Sequence, residues 1–210
     1  MMAVAPVVFL VDDDDSVRRS LTRLLESAGY AVEAFASARE FLAHEPSAGP
    51  CCLVLDVRMP GLTGIELQET LIAAGRRMSI VFVTGHVDVP MSVRAMKGGA
   101  IDLLTKPVDA EVLMQAIERA VSKDARDREH EAQVAEIQKR VERLTSRETE
   151  VFALVVTGML NKQIAASLGV VEKTVKVHRA RVMQKMGAGS VAELVRLADR
   201  VGLIVPESQG

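Results

Sequence analysis

The sequence predicts a five-stranded parallel α/β sheet followed by a small all-α domain, and three observations predict it. A β-rich apolar run followed by apolar residues at helical spacing occurs five times between Val7 and Asp109. Past Asp109 the chain reads as helices alone. At 210 residues with 49% hydrophobic side chains, it exceeds the usual size of one compact domain and can fill two modest cores.

The elements follow in order. Val7-Val8-Phe9-Leu10-Val11 is a continuous apolar run, and Val17, Leu21, Leu24 and Leu25 after it share one helix face. The same alternation gives Ala31–Phe35 then Ser37–His44, Cys52–Leu55 then Gly64–Ala74, Ile80–Val83 then Val89–Lys97, and Ile101–Leu104 then a helix from Asp109. Strands alternating with helices imply a parallel sheet covered on both faces. From Asp109 to Val141 there is neither Gly nor Pro, so this last helix is expected to run on as a linker. Val134, Ile137, Val141 and Leu144 stand at 3-4-3 spacing there, which fits either a short coiled-coil seam or a stripe packed on the chain's own domains. Thr145-Ser146-Arg147-Glu148 has the pattern of a capping box, and Gly158 is placed to end the helix it opens. Asn161–Leu168, a turn at Gly169, Glu172–Met186 and Ser190–Val201 complete four short helices, and Pro206–Gly210 reads as a frayed tail. The expected domains are 1–122, a helical linker 123–143, and 144–210.

Charge is distributed unevenly around a net −2. Residues 1–123 carry 16 acidic and 12 basic side chains, residues 124–143 carry 6 and 5, and residues 144–210 carry 6 and 9. A basic C-terminal part suits contact with phosphates. Cys51 and Cys52 are adjacent, a spacing that suits neither a disulfide framework nor a metal site, and are expected to be buried strand residues. Met1–Leu10 lacks a basic leader and Asp12–Asp15 interrupts the apolar run, so a cytoplasmic location is expected, with no membrane contact.

Open parallel sheets bind ligands beyond the carboxyl ends of their strands. Asp12 and Asp13 follow the first strand, Asp56 ends the third, Thr84 follows the fourth and Lys106 the fifth. Three converging carboxylates repel one another unless a hard divalent cation joins them, and Mg²⁺ takes carboxylates together with phosphate oxygen. A carboxylate can then act as nucleophile toward a phosphoryl group, with a lysine and a hydroxyl stabilising the equatorial oxygens. Asp56 is the candidate phosphoacceptor, Lys106 the counter-ion and Thr84 the hydroxyl. Asp14 and Asp15 read as the acidic start of a helix.

Val11-Asp12-Asp13, Leu55-Asp56-Val57-Arg58-Met59-Pro60-Gly61, Val83-Thr84-Gly85 and Lys106-Pro107 resemble, in order and spacing, the receiver domain of two-component response regulators, a flavodoxin-like fold. The resemblance implies Mg²⁺ on Asp12, Asp13, Asp56 and the main-chain carbonyl of Arg58, with a histidine kinase as phosphoryl donor. Receivers often carry Tyr or Phe three residues before the lysine, where this chain has Leu103. That departure implies either a relay through smaller packing changes or a weak relay. Arg58 and His86 are expected at the mouth of the site, as tuners of the phosphoryl lifetime or as plain solvated side chains.

At the other end, two short helices joined at Gly169, the second carrying Lys173, Lys176, Arg179, Arg181 and Lys185 against Glu172, suggest a helix-turn-helix. Val175, Val182 and Met186 share one face and leave Lys173, Lys176, Val177 and Ala180 directed elsewhere. Leu144–Glu148, Gly158, Asn161–Ala165, Thr174–His178 and Lys185-Met186 resemble the LuxR-type module, and the whole chain is thereby similar to NarL/FixJ regulators. The resemblance implies Lys176, Val177 and Ala180 at base edges of promoter DNA, and Lys173, Thr174 and Arg179 near phosphates. It also implies a homodimer on phosphorylation, with Val191, Leu194, Val195 and Ala198 of the last helix as pairing candidates, and RNA polymerase as a possible partner. Val171 stands where Ser or Thr is common and forgoes an N-cap.

An enzyme is not expected. A Mg²⁺-dependent phosphatase of the haloacid dehalogenase type uses similar residues, but its nucleophile lies in an Asp-x-Asp motif after the first strand, and Asp12–Asp15 lacks the Thr or Val that follows it. A constitutive DNA-binding protein with the first domain as a dimerisation scaffold stays open, because of Leu103.

Overall fold

The computed structural model describes residues 5–45, 47–86 and 88–203, so the expected frayed tail lies outside the described residues. The chain forms two compact units, one ending at Arg128 and the other beginning at Glu129.

In the first unit β1 (Val7–Val11), β2 (Ala31–Phe35), β3 (Cys51–Asp56), β4 (Ile80–Thr84) and β5 (Asp102–Thr105) make one parallel sheet in the order β2-β1-β3-β4-β5. Strand order reverses between β1 and β3, which puts a crevice at the carboxyl ends of those two strands. Side chains alternate across the sheet as strand geometry requires. Phe9, Val11, Leu53, Leu55 and Phe82 face one layer, packed by α2 (Ala38–Leu42), α3 (Gly64–Ala73) and α4 (Val89–Lys97). Val8, Leu10, Val54, Val81 and Val83 face the other, against α1 (Asp15–Ser27) and α5 (Ala110–Glu142). Cys51 and Cys52 are buried in β3 as expected, and burial pushes the Cys51 thiol up to about 11, so it behaves as a small apolar residue.

The register aligns the functional ends. Val11 pairs with Leu55, Asp56 with Val83, and Thr84 with Thr105, so the residues that end or follow these strands lie side by side. β3, β4 and β5 each run one residue further than the expected Leu55, Val83 and Leu104, because Asp56, Thr84 and Thr105 still take part in the ladder.

The second unit consists of the end of α5 with α6 (Ser146–Val156), α7 (Asn161–Leu168), α8 (Glu172–Met186) and α9 (Val191–Arg200). Thr145 and Glu148 form the expected capping box. Gly169 ends α7 in the left-handed conformation at φ 64°, which lets the chain turn directly into α8.

The expected linker 123–143 is divided between the units. Asp124 is buried, accepts from the Cys51 N–H at 2.9 Å and from Arg128 Nε at 2.6 Å, and ties this turn of α5 to the start of β3. Further along, Ile137 is buried in the helical core, with Val141 and Leu144 packed beside it. Three of the four residues of the 3-4-3 stripe therefore pack on their own domain, and Val134 is not among them. Leu194 and Ala198 of α9 are likewise buried in the core of their own unit, so of the four expected pairing residues only Val191 and Val195 keep partly exposed side chains. Among the described residues no helix is long and apolar enough to cross a membrane.

Candidate functional site

Asp12, immediately after β1, is buried, and Asp56 at the end of β3 is nearly so. Between them lies the Lys106 ammonium, 2.6 Å from Asp12 Oδ2 and 3.3 Å from Asp56 Oδ2. Asp13 is exposed, yet carboxylate oxygens of Asp12, Asp13 and Asp56 all lie within 4.8 Å of one another. Several bonds fix this geometry. The Asp14 N–H donates to Asp12 Oδ1 at 2.9 Å, Arg18 donates to the Asp12 carbonyl at 2.7 Å, and the Arg58 N–H approaches Asp56 Oδ1 at 3.4 Å. Gly64 is required beside it, since a Cβ there would overlap the Asp56 carbonyl oxygen.

One ammonium faces three carboxylates, and the imbalance shows in the acid–base chemistry. Burial, reinforced by the charge of Asp12, pushes the Asp56 carboxyl above its ordinary value, against the opposing pull of Lys106. Burial also works against the Lys106 charge, but its hydrogen bond to Asp12 and the charges of Asp56 and Asp12 outweigh it and hold the ammonium above its usual range. Oxygen-only donors at this spacing, with an unbalanced negative charge, fit a hard divalent cation of the Mg²⁺ kind.

Thr84 is fully buried, and its hydroxyl donates to the His86 carbonyl at 3.1 Å while accepting from the His86 N–H at 3.3 Å. Arg58 and His86 are both exposed. Leu103 is partly buried against the core layer that contains Ala95 of α4. Asp14 caps α1 by accepting from the N–H groups of Ser16 and Val17, and Asp15 pairs with Arg18 and Arg19, which accounts for the rest of the acidic run.

In the helical unit Val175, Val182 and Met186 are buried, while Lys173, Lys176, Val177 and Ala180 are exposed together on the outer side of α8. Thr174 and Arg179 are half-buried, and Arg179 donates to Asn161 Oδ1 at 2.8 Å, which ties α8 to the start of α7. Lys185 behaves differently from the other cations of this helix. It is bound to the buried Glu148 at 2.6 Å and to the Arg143 carbonyl at 2.9 Å, and so fixes α8 against α6. Spacing alone did not single out Glu148 and Lys185 as a pair, for they stand 37 residues apart.

A parallel sheet with an acidic cluster and a lysine at its switch point, joined to a helical unit with an exposed basic helix, defines a response regulator with a DNA-binding output domain. Comparison with known proteins agrees. Residues 8–118 match the response regulator receiver domain, and residues 142–198 match the bacterial regulatory proteins of the luxR family. The chain is 48% identical over 197 residues to nodulation protein W of Bradyrhizobium diazoefficiens, covering 94% of this chain and 87% of that one. It is 44% identical to the transcriptional regulatory protein FixJ of Azorhizobium caulinodans, with 93% of each chain covered. Among solved structures, the response regulator StyR has a TM-score of 0.83 at 48% identity, covering 94% of this chain and all of that one. The chain belongs to the NarL/FixJ family of two-component response regulators.

Proposed function

We propose that this protein regulates transcription under the control of phosphorylation at Asp56. The observation that carries the reading is the lysine-bridged cluster, in which Lys106 reaches both Asp12 and Asp56 and a third carboxylate stands within 4.8 Å. Response regulators of this type partner with histidine kinases and bind DNA. The donor is then a phosphohistidine of a cognate kinase, whose P–N bond breaks as an Asp56 carboxylate oxygen bonds to phosphorus.

Asp12, Asp13, Asp56 and the Arg58 carbonyl are the residues to hold Mg²⁺. The ion supplies charge neutralisation for the incoming phosphoryl group. Lys106 is already within reach of Asp56 and neutralises one of the oxygens the group brings in. Thr84 supplies a hydroxyl to another once it leaves the His86 main chain, and that departure alters the backbone that leads into α4. The scaffold reading has no use for a buried, charge-unbalanced cluster, and the desolvation cost of keeping one favours a switch.

Pairing of receivers is supported by α4, which exposes Val89 (77%), Val93 (45%) and Met96 (50%) at i, i+4, i+7 spacing. Paired receivers bring two helix-turn-helix units to adjacent half-sites of a promoter, and the second half-site is then bound at high effective concentration. Lys176, Val177 and Ala180 meet base edges, while Lys173, Thr174 and Arg179 lie along phosphates. The outcome is activation, with RNA polymerase as a further partner, in the cytoplasm. Intact mass after incubation with acetyl phosphate and Mg²⁺, for wild type and Asp56→Ala, tests it, with sedimentation on the same samples. One adduct that needs Asp56 and shifts monomer toward dimer is expected. An unmodified mass with unchanged sedimentation would return the scaffold reading.

A further inference from the structure

The segment after Asp56 leads straight into α3. The Gly64 N–H donates to the Val57 carbonyl at 2.9 Å, and no side chain fits between Gly64 and the Asp56 carbonyl. The first turn of α3 therefore rests on the backbone of the phosphoacceptor residue itself. One turn further, Gln68 is 1% exposed, and its Nε2 donates to the Ala95 carbonyl in the last turns of α4 at 3.1 Å. The same carboxamide stands where a Cβ of residue 98 would be, with Cδ and Oε1 both at 2.6 Å from that position. Gly98 is thus kept side-chain-free by Gln68, and the C-terminal end of α4 is pinned to α3.

A buried amide is a poor filler for an apolar seam, since its desolvation is offset only by a hydrogen bond it must keep. A methionine or leucine would pack that space without the obligation. The amide specifies position, and the position it specifies is that of α4, the helix with the exposed apolar stripe.

We propose that Gln68 is a positioning residue that carries the state of Asp56 to α4, by a route through α3 that does not pass through Thr84. The inference rests on the reading of Asp56 as phosphoacceptor. It gives a function to a buried polar contact that neither metal nor phosphoryl chemistry uses. It also supplies a coupling that does not require an aromatic ring at Leu103. Spatial continuity alone does not make a coupling, so the test measures one.

The chain has no tryptophan, so Val93→Trp on the exposed side of α4 provides a single reporter. Fluorescence is read with and without acetyl phosphate and Mg²⁺, and intact mass reports the adduct on the same samples. The expected result is that Gln68→Met, which keeps the volume and removes the donor, forms the adduct normally but shows a fluorescence change at least twofold smaller. Gly98→Ala, which displaces the carboxamide, should do the same and serves if Gln68→Met fails to fold. Glu69→Ala, which breaks the exposed 2.7 Å pair with Arg94 on the same seam, should keep the full change. Full amplitude in both Gln68→Met and Gly98→Ala overturns the proposal, as does a loss in Glu69→Ala equal to theirs, or a tryptophan that ignores the adduct in the parent. An absent adduct in the parent instead overturns the phosphoacceptor reading, and the proposal with it.

Discussion

Each unit of the chain buries a carboxylate against a lysine at the same distance, 2.6 Å, and the two contacts have opposite characters. In the receiver, Lys106 is shared between Asp12 and Asp56 with Asp13 alongside, so negative charge is in excess and the Asp56 carboxyl is driven up. In the helical unit Glu148 has Lys185 to itself and also accepts from the Thr145 N–H at 2.9 Å, and its carboxyl is held down to about 2, first by Lys185 and then by Thr145. The residue types and separation are alike. The number of acids per lysine decides whether the cluster is left with unbalanced negative charge or is already satisfied as a structural tie.

The largest expected effect comes from breaking the receiver side of that comparison. Asp56→Asn should reduce the phosphoryl adduct below detection by intact mass. Without Mg²⁺ it should also raise the thermal midpoint of the receiver, because removing one of two buried like charges relieves repulsion. A lowered midpoint would mean that the cluster is a structural tie after all, like its counterpart.

Glu148→Gln is the reverse experiment. It leaves Lys185 without its counter-charge and should lower the stability of the helical unit by several degrees, read as faster amide exchange in α6 and α8. The pH dependence has a defined sign. A carboxyl held at about 2 against an ordinary 4.5 contributes stability that is complete above the ordinary value and is lost as pH falls from there toward 2. Glu148→Gln should flatten that loss, and a variant as acid-sensitive as the wild type would assign the acid response elsewhere.

A smaller effect separates the free cations of α8 from the tied one. Lys176 is exposed and, among the described residues, pairs only with Glu172 at 3.4 Å, whereas Lys185 is committed to Glu148 and Arg143. Lys176→Ala should leave amide exchange unchanged and weaken binding to a selected promoter site by about 1–3 kcal/mol if it meets a base, or lower the salt slope by about 0.9 if it meets a phosphate. Lys185→Ala should instead loosen α8 within the fold. Equal exchange in both variants would erase the distinction.

The receiver was largely legible because its site is built from strand ends, and strand ends are marked in sequence by an apolar run meeting a charge. Asp12, Asp56, Thr84 and Lys106 could each be placed that way, and the register then made them neighbours. Gln68 and Gly98 were not legible, since a glutamine inside a helical pattern and a glycine after one have nothing that points to each other across two elements. The linker stripe and the last helix were legible as apolar faces but not as to what they cover. Periodicity gives the face, and only packing shows that Ile137, Leu194 and Ala198 turn into their own core. Lys185 reads in sequence as one more cation of α8 for the same reason: its charge is visible there, while its partner stands in another helix.

The smallest effect concerns the entry to α8. Val171 occupies the N-cap with the extended backbone that a cap requires, φ −80° and ψ 149°, but makes no side-chain hydrogen bond there. It is 68% exposed, so little packing depends on its second methyl. Threonine has the same shape and offers an oxygen to the N–H groups of the first turn, a gain of about 1 kcal/mol. In a unit of this size that corresponds to roughly 4–8 °C in the thermal midpoint. Val171→Thr should therefore stabilise the helical unit, with slower exchange at the start of α8 and none of the acid dependence seen for Glu148, because the new bond involves no titrating group. If the midpoint stays where it is, the contacts of Arg179 and Lys185 already hold α8 so firmly that its uncapped end contributes nothing to unfolding.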